Sequence, residues 1–560
     1  MPERVVAITF TNKAAKEMLD RISNHAPRST THGSPFVGTF HSFCAKILKA
    51  EAGHVKRTPN YTIFDDDDSM SLLKKVMKQL DISKDRYSPI SLHSRISQIK
   101  NEFLEPTEFD KTTALVFTHY EGELVRNNAF DFDDLIEKTV RIFENRPEVL
   151  KKYQERFTHI LVDEYQDINT AQYRLIRLLA GKLQNLSVVG DDQQAIYSFR
   201  GADFRNFLNF QQDWPDAKIV KLEQNYRSSA NIINAASAVI QNNKLQTAKT
   251  LWTENPSGPL LRVTKTTDPE QEAAFVAGSI HDSRFPPEAR LARGGTIHDS
   301  SIAILYRTNA QSRSIEQALI SANIPYKVFG GLKFYERKEV KDLVAGLRLA
   351  NNPQDSISAE RLSKNFDKKT AATLIAELTR LGKNLKILEL INFFLVNANY
   401  FEYLEKNYKN YQERIENINE LIRFAGDFKT LDEFLERVSL LQSADAPAKN
   451  TNYESRIMNH VNLMSIHLAK GLEFDNVFVI GCADGLLPHQ MSYGSLDEIE
   501  EERRLMYVAM TRARKELSLS FSGTPSRFLY EIPPELTDFT DLDSGKGKLP
   551  NDDDMYIEYN

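Results

Sequence analysis

Two neighbouring carboxylates, Asp163 and Glu164, follow the apolar run "HILV" at residues 159–162. Such a run is typical of a buried strand, and ligands of open α/β sheets lie at the carboxyl ends of the strands. We therefore expect Asp163 to bind magnesium and Glu164 to orient the attacking water in a nucleotide reaction. The alternative is that both carboxylates form the acidic first turn of the following helix.

A second polar stretch, "VVGDDQQAIYSFRGAD" at residues 188–203, follows another apolar run. The amide of Gln194 can donate to phosphate and accept from water, which suits a γ-phosphate contact. Tyr197, Phe199 and Arg200 interleave aromatic rings with a cation, a pattern that stacks single-stranded bases and neutralises their backbone. Ordinary alternation of core and surface residues is the other interpretation.

The segment "LEQNYRSSANI" at residues 222–232 places Tyr226 beside Arg227. The ring can stack on adenine, and the guanidinium can complement the charge of a γ-phosphate through two hydrogen bonds. Taken alone, the pair is more simply interpreted as part of the surface.

Between two predicted strands, "SIHLAKGLEFDNVFVIG" at residues 465–481 combines glycine with hydroxyl, imidazole and ammonium donors. These donors suit phosphate oxygens, and Glu473 can accept hydrogen bonds from a ribose. The residues with this chemistry are Ser465, His467, Lys470, Gly471 and Glu473.

The segment "EEERRLMYVAMTRARKEL" at residues 500–517 has a helical pattern, with Arg512 near its end. An arginine there can reach a nucleotide held by another domain. A surface helix with many ion pairs is the alternative, and we assign Arg503, Arg504 and Arg514 to that role.

Apolar runs that alternate with helical patterns indicate parallel sheets covered by helices on both faces. One set of such runs begins at Val5 and resumes at 159–164 and 186–192, around a mostly helical stretch. A second set begins at 301–307 and resumes after residue 460. The chain is therefore predicted to be an α/β protein with two α/β domains, each interrupted by a helical insertion.

Composition narrows the class of protein. The 560 residues are 41% hydrophobic and 26% charged, which predicts several folded domains. Two cysteines, Cys44 and Cys482, exclude a disulfide framework and a four-thiolate metal site. No signal peptide and no apolar run long enough for a membrane span is evident, so we expect a cytoplasmic protein without membrane partners. The net charge of −6 still permits a local basic groove.

In this order, the motifs resemble those of the UvrD/Rep/PcrA family of superfamily 1 helicases. The matching segments extend from residue 5 to about residue 520: "AITFTNKAAKEM", "GTFHSFCAKIL", "FDFDDLI", "LVDEYQDIN", "VVGDDQQAIYSFRGAD", "LEQNYRS", "AILYRTNAQSR", "VFGGLKFYERKEVKD", "SIHLAKGLEFDNVFVIG" and "RRLMYVAMTRARKEL".

The resemblance implies two RecA-like parallel-sheet domains, with ATP and Mg²⁺ as cofactors and 3′→5′ movement along single-stranded DNA. Its implied partners are single-stranded DNA, junctions of duplex and single strand, and repair or replication proteins. The implied domains are the first RecA-like domain at 1–55 and 130–222, its insertion at 56–129, the second at 223–336 and 456–530, its insertion at 337–455, and a disordered acidic tail at 531–560.

Carried over residue by residue, the resemblance makes Asp163 the magnesium ligand and Glu164 the catalytic base. Gln194, Arg227 and Arg512 become γ-phosphate contacts, with Tyr226 on adenine and Glu473 on ribose. The residues that fall in DNA-binding motifs are Phe10, Thr11, Asn12, His41, Tyr197, Phe199, Arg200 and His467.

The family also places a phosphate-binding loop of the GxxxxGK[ST] type upstream of the motif that begins here at Val5. No segment of the 560 residues matches it, and the nearest string, "DSGKGKLP" at 543–550, lacks a hydroxyl after its lysine. We expect the first domain to be incomplete at its N-terminus, in a chain truncated relative to its parent. The alternative function is then a DNA-binding or partner-binding module that cannot use ATP.

Overall fold

The computed structural model describes residues 2–25, 34–83, 86–181, 184–284, 301–330, 332, 334–353, 355–382, 385–435, 438 and 460–546. Contacts between residues divide the chain into two compact units, Met1–Val220 and Lys221–Asn560. Among the described residues, we find no helix with the length and apolar character that crossing a bilayer requires.

A four-stranded sheet in the order β2-β1-β5-β6 lies at the centre of the first unit, and its paired strands are all parallel. The other two strands, β3 and β4, pair with each other. The strands of this unit are β1 (Val5–Thr9), β2 (Phe36–Thr39), β3 (Thr62–Phe64), β4 (Ala129–Asp131), β5 (His159–Val162) and β6 (Leu186–Val188).

Helices of the first unit pack on one face of this sheet, where Ile8, Ile160 and Val162 are buried. The described helices of the unit are α1 (Asn12–His25), α2 (Phe40–Glu51), α3 (Asp66–Gln79), α4 (Pro89–Glu102), α5 (Lys111–Arg126), α6 (Phe132–Asn145), α7 (Pro147–Arg156), α8 (Thr170–Ala180), α9 (Arg205–Leu208) and α10 (Phe210–Asp213).

The prediction of a sheet covered on both faces is wrong at β5. Leu161 is 42% exposed there, and Val189, which follows β6, is 57% exposed. The reason is that the buried residues of α2, α6 and α8 cluster with the opposite side of β5, through Ile160 and Val162.

Helices α3 to α5 have a hydrophobic core of their own, built from residues such as Leu73, Leu92 and Tyr120. A buried cation joins this helical group to α6. The ammonium of Lys100, which is 1% exposed, lies 2.7 Å from a carboxylate oxygen of each of three residues, Glu121, Asp131 and Asp134. Because these residues belong to α4, α5, β4 and α6, the cluster fixes the helical group on the rest of the unit.

Two carboxyl groups of this cluster, those of Asp134 and Glu121, have shifted pKa values. Burial, together with the charge of Asp131, raises the pKa of Asp134 to about 7. Burial also opposes ionisation of Glu121, but Lys100 and Lys138 lower its pKa to about 2. The two lysines thus hold Glu121 as an anion inside the protein.

An eight-stranded sheet in the order β14-β13-β7-β12-β11-β8-β10-β9 forms the centre of the second unit. All neighbouring strands are parallel except β13 and β14. The strands are β7 (Leu261–Thr266), β8 (Ile302–Tyr306), β9 (Tyr326–Val328), β10 (Val461–Ser465), β11 (Phe474–Val479), β12 (Ala513–Ser522), β13 (Thr537–Asp541) and β14 (Gly545–Lys546).

These sheets confirm the predicted α/β class, but the predicted disorder from residue 531 is wrong for the described part of the tail. Strand β13 pairs with β7 along its whole length and buries Phe539. Its backbone hydrogen bonds stabilise the strand even though few aliphatic residues occur there. Residues 547–560 lie outside the described residues.

Helices of the second unit cover its sheet and form the second insertion. The insertion helices α14 to α19 enclose a core that includes Leu343, Leu374, Phe394 and Leu421. The described helices are α11 (Ala230–Ile240), α12 (Pro269–Arg284), α13 (Ser312–Ser321), α14 (Lys338–Asn351), α15 (Ser356–Asn365), α16 (Lys368–Leu381), α17 (Ile387–Asn397), α18 (Tyr400–Asn407), α19 (Tyr411–Ala425), α20 (Ile466–Ala469), α21 (Leu496–Met510) and α22 (Arg527–Tyr530).

We predict that Lys100→Ala lowers the free energy of unfolding by about 3–5 kcal/mol, because three buried or half-buried carboxylates lose their shared cation. Urea denaturation followed by circular dichroism measures the change. Lys75→Ala is the matched control, since Lys75 is 61% exposed and its ammonium lies 3.9 Å from Glu123. That variant should stay within about 0.5 kcal/mol of the wild type. An equal, small loss in both variants would contradict the role of the cluster.

Candidate functional site

The acidic pair lies at the carboxyl end of β5, as its position after an apolar run predicts. The backbone N–H of Asp163 donates to the carbonyl of Ile8 in β1 at 2.9 Å. The hydroxyl of Thr9 donates to the Asp163 carboxylate at 3.4 Å. On the other side, the N–H of Tyr165 donates to the carbonyl of Val189 at 3.0 Å. The acidic loop is therefore held between the ends of β1 and β6.

Glu164 adopts the left-handed backbone conformation, with φ 52° and ψ 42°. This conformation is strained for a residue with a side chain, and such strain concentrates at functional sites. It turns the chain from β5 into the 3-10 turn Tyr165–Asp167. The turn places the Glu164 side chain at the carboxyl end of β5, the edge where ligands of open α/β sheets bind.

Gln166 joins the ends of β5 and β6, and sequence reasoning missed it. Its amide nitrogen donates to Glu164 at 2.6 Å, and its amide oxygen accepts from the backbone N–H of Asp191 at 2.9 Å. The Asp191 carboxylate in turn accepts from the amide of Gln194 at 2.7 Å. Glu164 and Gln194, the predicted base and phosphate sensor, are thus joined through two intervening residues.

Gly190 permits this arrangement. A Cβ atom at this position would lie 2.6 Å from the amide oxygen of Gln166 and 2.8 Å from the ring of Phe207. Both distances are too short for real contacts, so a larger residue would displace the bridging amide.

An aromatic ladder of Phe10, Tyr197 and Phe199 begins at the end of β1. The rings of Phe10 and Tyr197 are stacked, with centroids 5.8 Å apart and planes 7° apart. The ring of Phe199, which is 65% exposed, lies 6.1 Å from that of Tyr197. The planes of Tyr197 and Phe199 are tilted by 54°, and the exposed ring of Phe199 offers a stacking surface for an unpaired base.

The remaining residues of this predicted DNA site have different surroundings. The hydroxyl of Thr11 accepts from the N–H of Ala14 at 3.1 Å, and Asn12 begins α1, so both also serve the helix start. Arg200 ends the 3-10 turn Ser198–Arg200, and its side chain lies outside the described part of the structure.

His41 lies in the first turn of α2 and contacts Phe132 edge to face, with ring centroids 5.9 Å apart. Burial lowers the pKa of His41, so the imidazole is neutral at neutral pH and suits stacking better than phosphate neutralisation. Phe132 is 47% exposed, and sequence reasoning assigned it no role. An exposed phenylalanine cannot be told from a core phenylalanine by composition, so only the structure adds it to the candidates.

In the second unit, Glu473 lies between two guanidinium groups. Its carboxylate oxygens are 2.6 Å from Arg227 and 2.8 Å from Arg514. Partial burial opposes ionisation of Glu473, but the Arg227 guanidinium lowers its pKa. The predicted ribose contact and one predicted γ-phosphate contact are therefore direct neighbours.

Arg512 joins the same group from the turn between α21 and β12. It is 1% exposed and donates to the carbonyls of Val508 at 3.0 Å and Leu472 at 3.1 Å. The sequence predicts a helix that continues to residue 517. In the structure the helix ends at Met510, and the following residues form β12 from Ala513. The prediction of a surface arginine is also wrong for Arg504, which is 2% exposed.

Two predicted residues of the second unit lie at the surface or at a strand end. Tyr226 is 78% exposed, and its hydroxyl donates to Gln224 at 2.6 Å. His467 lies in the short helix α20, directly after β10. The exposed ring of Tyr226, next to Arg227 in the chain, leaves a face that can stack on a base.

Among the described residues, no group of three or more His, Cys, Asp or Glu side chains forms a metal-binding cluster. Mg²⁺ keeps several waters and is commonly bound by one or two carboxylates together with substrate phosphates. Asp163, with the Thr9 hydroxyl at 3.4 Å, fits an ion that arrives with a nucleotide.

The chain is similar to known DNA helicases. The UvrD/REP helicase N-terminal domain matches residues 1–215, and the UvrD-like helicase C-terminal domain matches residues 220–406 and 396–524. The ATP-dependent DNA helicase PcrA of Bacillus subtilis (strain 168) is 38% identical over 603 residues, which cover 96% of this chain and 80% of that protein. PcrA of Leuconostoc citreum is 36% identical over 609 residues, which cover 96% of this chain and 79% of that protein.

A solved structure also matches, the C-terminal domain of a possible DNA helicase from Lactobacillus plantarum WCFS1. It is 15% identical, covers 56% of this chain and 98% of its own, and has a TM-score of 0.25. This score is too low to support any statement about function or fold.

We predict that Gly190→Ala lowers the free energy of unfolding by about 1–3 kcal/mol, because the new methyl group displaces Gln166 and Phe207. Gly122→Ala is the matched control, since Gly122 lies within α5 and nothing lies within 4 Å of its added Cβ. The control should be stabilised by about 0.5–1 kcal/mol through its higher helix propensity. Chemical denaturation of both variants measures the difference. Equal stability of the two variants would mean that the approach of Gln166 to Gly190 is not restrictive.

Proposed function

This chain belongs to the UvrD/REP helicase family, and from this membership we propose that it is an ATP-dependent helicase that moves 3′→5′ along single-stranded DNA. The observation that carries the proposal is the short distance along the chain between Gln194, in the acidic network, and the aromatic ladder at Tyr197 and Phe199. A nucleotide site and a DNA site that share one loop can be coupled, because a shift of the loop at one site moves residues of the other. Its substrates are proposed to be single-stranded DNA and junctions with duplex, during repair or replication.

In the proposed reaction, Asp163 would hold Mg²⁺, and the Thr9 hydroxyl lies close to its carboxylate. A bound Mg²⁺ offsets the charge that develops on the phosphate oxygens. Glu164 orients the attacking water and accepts its proton, and the strained backbone at this residue fixes where its carboxylate begins. Gln194 donates to the γ-phosphate and is positioned by its hydrogen bond to Asp191.

Within the second unit, Arg227 and Arg512 are proposed to contact the γ-phosphate, Tyr226 adenine and Glu473 ribose. For Arg227 to bind a phosphate, its guanidinium must leave the Glu473 carboxylate and pair with the phosphate oxygens instead. Ribose hydroxyls can then donate to Glu473 in place of the guanidinium. Arg512 is held by backbone carbonyls, so its position varies less than that of a surface arginine.

A second candidate function is a DNA-binding or partner-binding module that does not hydrolyse ATP. The observation that favours it is the absence of a GxxxxGK[ST] segment from the 560 residues. In that motif, backbone amides cradle the phosphates and the lysine reaches the β- and γ-phosphates. ATP hydrolysis measured after such a loop is supplied distinguishes the two candidates.

We predict that the chain, once joined to an N-terminal segment that carries a GxxxxGK[ST] loop, hydrolyses ATP faster with an oligodeoxythymidylate than without it, and that Glu164→Gln abolishes this turnover. The amide cannot accept the proton of the attacking water, although it has nearly the size of the carboxylate. Phosphate release measures the rate. Turnover that survives Glu164→Gln would contradict its role as the base. DNA binding without any turnover would favour the second candidate.

We predict that Phe199→Ala weakens binding of an oligodeoxythymidylate by about 5- to 150-fold, which corresponds to roughly 1–3 kcal/mol for a lost stacking ring. Fluorescence anisotropy titration measures the Kd. Phe401→Ala is the control, since Phe401 is also partly exposed, at 39%, but lies in the second insertion. Equal affinities of the two variants would remove Phe199 from the DNA site.

A further inference from the structure

Asn101 lies near the end of α4, in the first insertion, and uses both ends of its amide. Its nitrogen donates to the Asp133 carboxylate of α6 at 2.9 Å. Its oxygen accepts from the side-chain nitrogen of Asn169 at 3.0 Å. One side chain of the insertion is therefore joined both to α6 and to the segment that follows the acidic loop.

Asn169 is the N-terminal cap of α8. Its side-chain oxygen accepts from the N–H of Gln172 at 2.9 Å, and its own N–H donates to the Gln172 side chain at 3.1 Å. The side-chain nitrogen that bonds Asn101 is therefore the part of Asn169 not used in the cap. Because both bonds join Asn169 to the first turn of α8, a displacement of the Asn169 side chain also displaces the backbone at the start of this helix.

Two segments meet at this same residue: the acidic loop, residues 163–167, and the aromatic turn, residues 197–203, which carries Phe199. Asn169 follows the turn Tyr165–Asp167 after one residue, and it forms an isolated antiparallel bridge with Ala202. Beside it, the N–H of Asp203 donates to the carbonyl of Ile168 at 3.2 Å. A shift of Asn169 would therefore move the turn that carries Phe199 relative to the acidic residues.

The end of α4 in the first insertion is held firmly in place. Lys100, the residue before Asn101, is buried among three carboxylates, which fixes the end of α4. Asn101 thus meets Asn169 from a fixed point rather than from a mobile surface.

We propose that Asn101 is a positioning residue: through its hydrogen bond to Asn169, the first insertion holds the acidic loop and the aromatic turn in the arrangement that binds single-stranded DNA. The proposal rests on the proposed function in one respect, the assignment of the turn at 197–203 to DNA. Asn101 itself contacts neither DNA nor nucleotide in this account.

The first test compares Asn101→Ala with the wild type and with Asn127→Ala. Asn127, in the same insertion, also donates from its side-chain amide, to the carbonyl of Glu123 at 2.7 Å. Anisotropy titration with an oligodeoxythymidylate should give a Kd about fivefold higher for Asn101→Ala, as expected for one lost hydrogen bond that positions the site. Asn127→Ala should stay within about twofold of the wild type. If both variants bind like the wild type, or weaken equally, the proposal is overturned.

The second test exchanges the amide of Asn101 and the carboxylate of Asp133, and it separates a positioning effect from general unfolding. Asn101→Asp places a carboxylate against that of Asp133 and should weaken DNA binding through repulsion. Adding Asp133→Asn restores a donor facing an acceptor, while the carboxylate introduced at position 101 still accepts from Asn169. The double variant should recover the wild-type Kd within about twofold. A double variant that folds with the wild-type melting temperature but binds as weakly as Asn101→Asp contradicts the proposal.

A third readout does not depend on DNA. Hydrogen exchange of peptides covering 165–172 and 198–203 should be faster in Asn101→Ala than in Asn127→Ala. Unchanged exchange in both peptides overturns the positioning role. If the wild type does not bind the oligonucleotide at all, the proposed function fails, and the exchange result alone decides the role of Asn101.

Discussion

The buried amide of Gln166 is the interaction on which the arrangement of the candidate site in the first unit depends. It is fully buried, donates to Glu164 and accepts from the backbone of Asp191. A buried amide that lost these partners would cost about 1–3 kcal/mol, so the two strand ends it joins are strongly held together. Because the same bridge continues to Gln194, the proposed base and phosphate sensor are parts of one hydrogen-bonded unit. The exposed aromatic ladder follows shortly after, at Tyr197.

In both units, a buried cation connects a helical insertion to the rest of the unit. Lys100 serves the first insertion through three carboxylates. In the second unit Arg313, which is fully buried in α13, pairs with Glu420 of α19 at 2.6 Å and lies over the ring of Phe424. Removing one partner of a buried pair leaves an uncompensated charge, which makes these joints specific as well as strong. An insertion that is held in place in this way can position the residues of the candidate site, as we propose for Asn101.

Sequence patterns predicted those parts of the fold and site that depend on short stretches of chain. The apolar run before Asp163 indicated β5, and the acidic pair lies at its end because parallel strands present their loops at one edge. The bridge through Gln166 was not predictable, since it joins strand ends that are distant in sequence. Strand β13 was missed because Phe539 is its one buried hydrophobic residue and backbone pairing supplies the rest. The end of α21 was misjudged because "TRARKEL" suits a helix locally, whereas pairing with β11 makes it a strand.

The central claim is that the acidic loop and the aromatic ladder are coupled, so that DNA bound to the ladder changes the stability of the backbone around Glu164. The most direct measurement is hydrogen exchange of the wild-type chain, with and without an oligodeoxythymidylate, at residues 163–167 and 197–203. The account predicts that DNA slows exchange in both segments, because the bridge through Gln166 and Asp191 joins them. Protection confined to 197–203, with 163–167 unchanged by bound DNA, would contradict it.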